Sequence, residues 1–161
     1  MAHINQMTLQ QIFIAQQTIK GIASKTPLVY STALSKMPGT AVYLKLETLQ
    51  PIGAFKIRGA ANKILNLTDA EKARGVVTAS TGNHGRAVAY VAKAVGITAV
   101  VCLSELVPQN KVAALQKLGA ELVIHGQSQD EAESRARLLA EERGLTMVHP
   151  FDDPLVIAGQ G

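Results

Sequence analysis

From Gly75 onward the sequence alternates short apolar, β-branched runs with longer helix-forming stretches, and that rhythm leaves few architectures open. Val76-Val77-Thr78-Ala79 is followed by an Ala-rich segment, Gly82 to Val95, that Gly96 ends. Thr98 to Leu103 is almost wholly apolar, and the helix after it is opened by Pro108 and closed by Gly119, the placement that helix termini favour. Leu122-Val123-Ile124 predicts a third strand. Ser128-Gln129-Asp130-Glu131 has the form of a capping box, in which hydroxyl and carboxylate each satisfy a free backbone amide. Its helix carries Ala132, Ala136, Leu139 and Ala140 on one face before stopping at Gly144, and Thr146-Met147-Val148 makes a fourth strand. Strands alternating with helices imply right-handed crossovers and a parallel sheet. A Rossmann-like unit over residues 75–149 is therefore expected.

Upstream the pattern is looser. A helix is predicted from about Leu9 to Ile22, a turn at Thr26-Pro27 and a strand around Val42 to Leu46. At the other end, Val156 to Gly161 reads as a glycine-containing turn handing over to another element, so the chain is expected to be the amino-terminal piece of a longer protein.

Composition removes several function classes. With 47% hydrophobic residues disorder is excluded, and with 4% aromatics and no Trp the core must be built from Ala, Val, Leu and Ile. The single Cys102 has no partner for a disulfide and sits in an apolar run, which marks it as a small core residue of a protein in a reducing compartment. No apolar run approaches the ~20 residues of a spanning helix, and Met1 to Gln11 lacks the basic start and apolar centre of a secretory leader. A cytoplasmic protein with no membrane partner is expected. Sixteen Lys and Arg against twelve Asp and Glu leave a net charge of +4, scattered and not interleaved with stacking aromatics, so nucleic acid is not expected as a partner. His3, His84, His125 and His149 share no ligand spacing, and no metal is expected. Asp152 and Asp153, between Pro150 and Pro154, read as turn residues, and Glu141-Glu142-Arg143 as a solvated helix end.

Two constellations could carry chemistry. In Gly53-Ala54-Phe55-Lys56-Ile57-Arg58-Gly59 a lysine sits between two large apolar side chains. Partial burial would favour its neutral amine, a nucleophile able to form a Schiff base with an aldehyde; the alternative is a surface lysine beside a buried Phe. In Ser80-Thr81-Gly82-Asn83-His84-Gly85 a glycine-bearing turn joins the first strand of the alternating unit to its helix. Backbone amides at such a place face an anion; the alternative is a polar helix cap with Asn83 as turn former. Neither the nucleotide P-loop spacing nor the dinucleotide fingerprint is met.

Taken together with His149-Pro150-Phe151-Asp152-Asp153-Pro154, Ala158-Gly159-Gln160-Gly161 and Thr26-Pro27-Leu28, these runs resemble the serine/threonine dehydratase and serine racemase family, pyridoxal-phosphate enzymes of the tryptophan-synthase β-like fold. The likeness covers nearly the whole chain, and the Ser80 to Arg86 run further resembles dehydratases of hydroxyectoine utilisation. It implies an α/β fold in which residues 75–149 form the small Rossmann-like domain, while residues 1–74 and 150–161 belong to a larger cofactor-binding domain.

Residue by residue, the resemblance implies that Lys56 holds pyridoxal 5'-phosphate and later moves the α-proton, that Phe55 lies against the pyridine ring, and that Asn83 hydrogen-bonds its phenolic oxygen. Ser80, Thr81, Gly82, Asn83 and His84 would bind the carboxylate of a small amino-acid substrate, with the Thr81 hydroxyl standing where racemases protonate the opposite face. The implied activity is an ammonia-lyase removing water from a β-hydroxy amino acid such as threonine or serine, in a homo-oligomer when full length. Ala54 and Ile52 stand where the family usually has serine and often threonine, which would alter substrate preference. The family's phosphate cup and the group facing the pyridine nitrogen lie downstream of Gly161. Three alternatives stay open: a racemase, a β-replacement enzyme of the same fold, and a non-catalytic chain that exposes apolar surface where the remainder would dock.

Overall fold

A computed structural model describes residues 7–36, 39–80 and 82–161. The expected parallel sheet is present: β3 (Val76–Ala79), β4 (Ala99–Leu103), β5 (Glu121–Ile124) and β6 (Thr146–Met147) pair in the order β5-β4-β3-β6, all parallel. Upstream, β1 (Leu28–Tyr30) and β2 (Tyr43–Lys45) form a separate antiparallel pair. The chain thus steps outward from β3 through β4 to β5, then returns to lay β6 on the other side of β3. That reversal is a topological switch point, and in open parallel sheets ligands bind in the crevice outside the carboxyl ends of the strands at such a point.

Side-chain alternation assigns the two faces. Val77, Ala79, Val100 and Cys102 pack with Ala132, Ala136 and Leu139 of α6 (Gln129–Arg143). Val101 and Leu103 point the other way, onto Ala89 of α4 (Asn83–Val95) and Val112 and Leu115 of α5 (Gln109–Lys117). Val76 and Ala99 join a larger cluster with Ala87, Val88 and Val91 of α4 and Ile57, Ala60 and Ile64 of α2 (Lys56–Leu65). At about 25 cal/mol per Å² of apolar surface removed from water, clusters of this kind are the main stabilising term.

Helix ends follow the sequence signals. Gly96 caps α4 in the left-handed region at φ 73°, and the capping box on Ser128 is formed, with Glu131 reaching back to the cap amide. Two expectations are corrected. α1 runs Leu9–Thr18 rather than to Ile22, because the chain turns over Ile19 to Gly21, where Gly21 has φ 86°. Val156 to Gly161 is not a turn: Pro154–Gln160 is a helix, α7, started by Pro154 at its first position and capped by Asp153, whose carboxylate accepts from the amides of Leu155 (2.8 Å) and Val156 (3.2 Å). α7 packs on α1 and α2, and Asp153 also pairs with Lys63 at 2.7 Å. A short α3 (Asp69–Arg74) completes the connection from α2 to β3. Leu9, Phe13 and Ile14 of α1, and Leu28, Tyr30 and Tyr43 of the β1–β2 pair, remain exposed.

Candidate active site

The crevice between β3 and β6 collects the residues singled out in the sequence. Val148 continues β6, its amide bonding the Val77 carbonyl at 2.9 Å. The Val148 carbonyl then receives two side chains from the neighbouring strand and helix, Thr78 Oγ1 and His84 Nε2, each at 2.9 Å. Two residues on, the Pro150 carbonyl accepts from Lys56 Nζ at 2.5 Å. Lysine 56 is half-buried at the first position of α2, its ammonium 5.3 Å from the ring centroid of Phe55. Burial holds its pKa below the ordinary lysine value, the direction that a nucleophilic amine needs.

Lys56 is therefore not a freely solvated surface lysine. What fixes it is the depth of α2, whose Ile57, Ala60, Ala61 and Ile64 are fully buried. From the first turn of α2, Arg58 grips Glu47 with two bonds, Nε to Oε2 at 2.8 Å and Nη2 to Oε1 at 2.6 Å, and adds the Ser24 carbonyl at 3.1 Å. Gln50 bonds Glu47 and both backbone groups of Ser24. Burial alone would raise the Glu47 carboxyl, but hydrogen bonds from Arg58, Thr26 and Gln50 outweigh it and bring the carboxyl down to about 2. This cluster, which the sequence reading did not find, clamps the start of α2 to the segments carrying Thr26 and Gln50. The signal available was the Arg two places after the lysine.

On the other wall, β3 ends in Ser80 and α4 begins at Asn83. Gly82 caps α4 without any side-chain bond of its own, its amide 3.3 Å from Ser80 Oγ. Asn83 is exposed at the helix start. Gly85 lies so close to the loop that a Cβ there would stand 2.5 Å from the Ser80 carbonyl. First-turn amides with no capping side chain among the described residues, at the positive end of a 13-residue helix, suit an anion. His84 differs from expectation in one respect. Its side chain points into the protein, buried and bonded to the Val148 carbonyl, with Nδ1 unpaired among the described residues. Burial above all, then the electrostatic influence of nearby Lys56 and His149, lowers its pKa to about 4 against the raising effect of the Val148 carbonyl. It is a neutral imidazole. Thr81 lies outside the described residues.

A half-buried amine, an adjoining aromatic face and a helix start that no described side chain caps form a donor set that fits a cofactor bearing an aldehyde, a planar ring and anionic groups. The pyridoxal-phosphate dependent enzymes, as a family, match residues 19–161. The chain belongs to that family. Among curated relatives, the L-threonine ammonia-lyase of Thermotoga maritima is 46% identical over 155 residues, covering 96% of this chain and 39% of the relative. Among solved structures, the processed form of threonine deaminase isoform 2 from Solanum lycopersicum superposes with a TM-score of 0.88 at 36% identity, over 93% of this chain and 42% of that one. Serine racemase from Dictyostelium discoideum gives 0.87 at 36% identity, over 94% and 50%. The fold is thus the tryptophan-synthase β-like fold of pyridoxal-phosphate enzymes, and the chain spans 39% to 48% of the length of the first curated relatives it matches.

Proposed function

We propose that this family member is part of a pyridoxal-phosphate-dependent ammonia-lyase that eliminates water from a β-hydroxy amino acid such as threonine or serine. The observation that carries the reading is Lys56 Nζ, held by the Pro150 carbonyl in the β3–β6 crevice with its pKa depressed by burial. Threonine dehydratases and ammonia-lyases among the relatives, at 44% to 49% identity, support the reaction class.

Bound pyridoxal phosphate supplies an aldehyde that forms Schiff bases with amines and a ring that withdraws electrons from the substrate's α-carbon. Lys56 would be the amine that carries it, with the Phe55 ring as an apolar neighbour and the Asn83 side-chain amide as donor to its phenolic oxygen. Lys56 Nζ would also be the base that takes the proton from the α-carbon, and the lowering of its pKa by burial is in the direction that favours the free amine. Ser80, Gly82, Asn83 and His84 hold the substrate carboxylate through the uncapped start of α4. Thr81, assigned by sequence alone, offers a hydroxyl for the opposite face. Overall, the substrate loses its α-proton and β-hydroxyl as water, and hydrolysis of the resulting imine yields a 2-oxo acid and ammonia without any redox partner.

The division into a small domain over residues 75–149 and a larger one containing residues 1–74 and 150–161 belongs to the same proposal, supported by the packing of α7 on α1 and α2. So do a homo-oligomer and a cytoplasmic setting, the latter supported by the unpaired thiol of Cys102. Borohydride treatment of the protein loaded with pyridoxal phosphate is expected to bleach its yellow colour and fix the label on Lys56. Threonine turnover to 2-oxobutanoate should vanish in the K56A variant. Label spread over surface lysines, or turnover untouched by K56A, overturns the proposal. Accumulation of D-serine from L-serine in place of a 2-oxo acid would favour racemisation, and a thioether formed from serine plus a thiol would favour β-replacement.

A further inference from the structure

The side chains of His149, Phe151 and Asp152 enter none of the roles assigned so far, yet their segment supplies the carbonyl to which Lys56 donates. His149 Nδ1 accepts two backbone hydrogen bonds, from the Asp152 amide at 2.7 Å and the Phe151 amide at 3.3 Å. As the acceptor of both amides, Nδ1 closes the turn as an Asn or Asp side chain would. Its ring is also stacked edge-to-face on Phe151, centroids 4.6 Å apart. Between these anchors lies Pro150, whose ring fixes φ and leaves ψ as the only soft torsion that aims its carbonyl. Upstream, the Val148 carbonyl is fixed by Thr78 and His84. Both ends of the segment are thus fastened, and the downstream fastening rests on one imidazole nitrogen.

We infer that His149 is a positioning residue for Lys56: by closing the 149–152 turn through Nδ1 it aims the Pro150 carbonyl at the lysine amine. Removing Nδ1 strips two amides of their acceptor, frees ψ of Pro150 and takes away the partner that restrains Lys56 Nζ. The bearing of this on catalysis rests on the role proposed above for Lys56; the contact itself does not.

The test reads the lysine amine directly. In nitrogen-15 NMR of the full chain, with the Lys56 resonance assigned through K56M, the ammonium protons of Lys56 should exchange slowly with water. In H149A they should exchange about tenfold faster, the scale set by one hydrogen bond to a charged group. H149N places its Oδ1 where Nδ1 lay and should restore the slow rate, while H149Q carries its carbonyl one bond too far and should not. If H149A does not fold, the contrast between H149N and H149Q decides. Equal exchange in H149A and the unsubstituted protein, or equal behaviour of the Asn and Gln variants, overturns the inference. A second readout, the preference of the pyridoxal-phosphate and borohydride label for Lys56, separates the two ideas. Loss of that preference in the unsubstituted protein counts against the catalytic reading, whereas unchanged exchange in H149A counts against the positioning role.

Discussion

Gly159 of α7 lies against Gly59 of α2 so closely that a Cβ built on Gly159 would stand 2.9 Å from the Gly59 Cα and 2.5 Å from the Arg58 carbonyl. The contact falls one turn from Lys56, on the helix that presents it, so the two glycines set how deeply that helix can seat. Asn62 adds a bond from its side-chain amide to the Leu155 carbonyl at 2.7 Å, tying the same two helices.

A methyl group at this crossing has nowhere to go, since its neighbours are backbone. G159A is expected to destabilise the fold by about 1–3 kcal/mol, the usual cost of overpacking, and to lower the thermal midpoint by several degrees. G82A, where a Cβ meets nothing within 4 Å, is the comparison and should leave the midpoint nearly unchanged. Calorimetry of the two variants checks the contrast.

His84 makes stability depend on pH in a defined direction. Unfolded, the imidazole takes up a proton near 6.5, whereas in the fold burial holds it neutral down to about 4. The stabilisation is complete above pH 6.5 and is lost as pH falls towards 4, by an amount on the order of 3 kcal/mol. Denaturant midpoints measured across that range should fall for the unsubstituted protein, and H84Q should flatten the fall.

Arg58 and Glu47 should be energetically coupled, because both side chains are only 18% exposed and the pair is bidentate. A double-mutant cycle with R58A and E47A is expected to return about 1–2 kcal/mol. R58K should recover little of it, a single ammonium being unable to match both carboxylate oxygens. A coupling indistinguishable from zero would make the clamp a surface contact only.

Cys102 should be inert in the folded protein. It is fully buried, and burial raises its pKa to about 11, so thiolate is scarce at neutral pH. Iodoacetamide at pH 8 is expected to label it only as fast as the chain unfolds, with the rate rising in denaturant, as mass spectrometry of the Cys102 peptide would show.

The strand-helix rhythm after Gly75 is legible because its two central strands, β3 and β4, are buried on both faces and its helices carry their own stop signals, Gly96 and Gly144 among them. α7 was not legible, because its apolar Val-Ile-Ala core ends in Gly-Gln-Gly, which reads as a turn unless one knows that Gly159 must admit Gly59. Lys56 is singled out by its two large apolar neighbours, whereas Asn83 reads as a turn former and gains its role only from the family resemblance. What sequence could not supply was the inward direction of His84 and the carbonyl of Pro150, since a main-chain acceptor has no residue type to betray it. The Arg58–Glu47 clamp was missed for a related reason: its partners are eleven residues apart with a turn between them.

The partners Lys56 and Pro150 are separated by 94 residues of sequence. As the polypeptide leaves the ribosome, the lysine emerges first and waits while most of the sheet is translated. At synthesis rates of about 5–20 residues per second that delay is on the order of 5–20 s. A nascent chain stalled before codon 150 would therefore display an unrestrained amine, and the crevice would close around it only as the last strand docks.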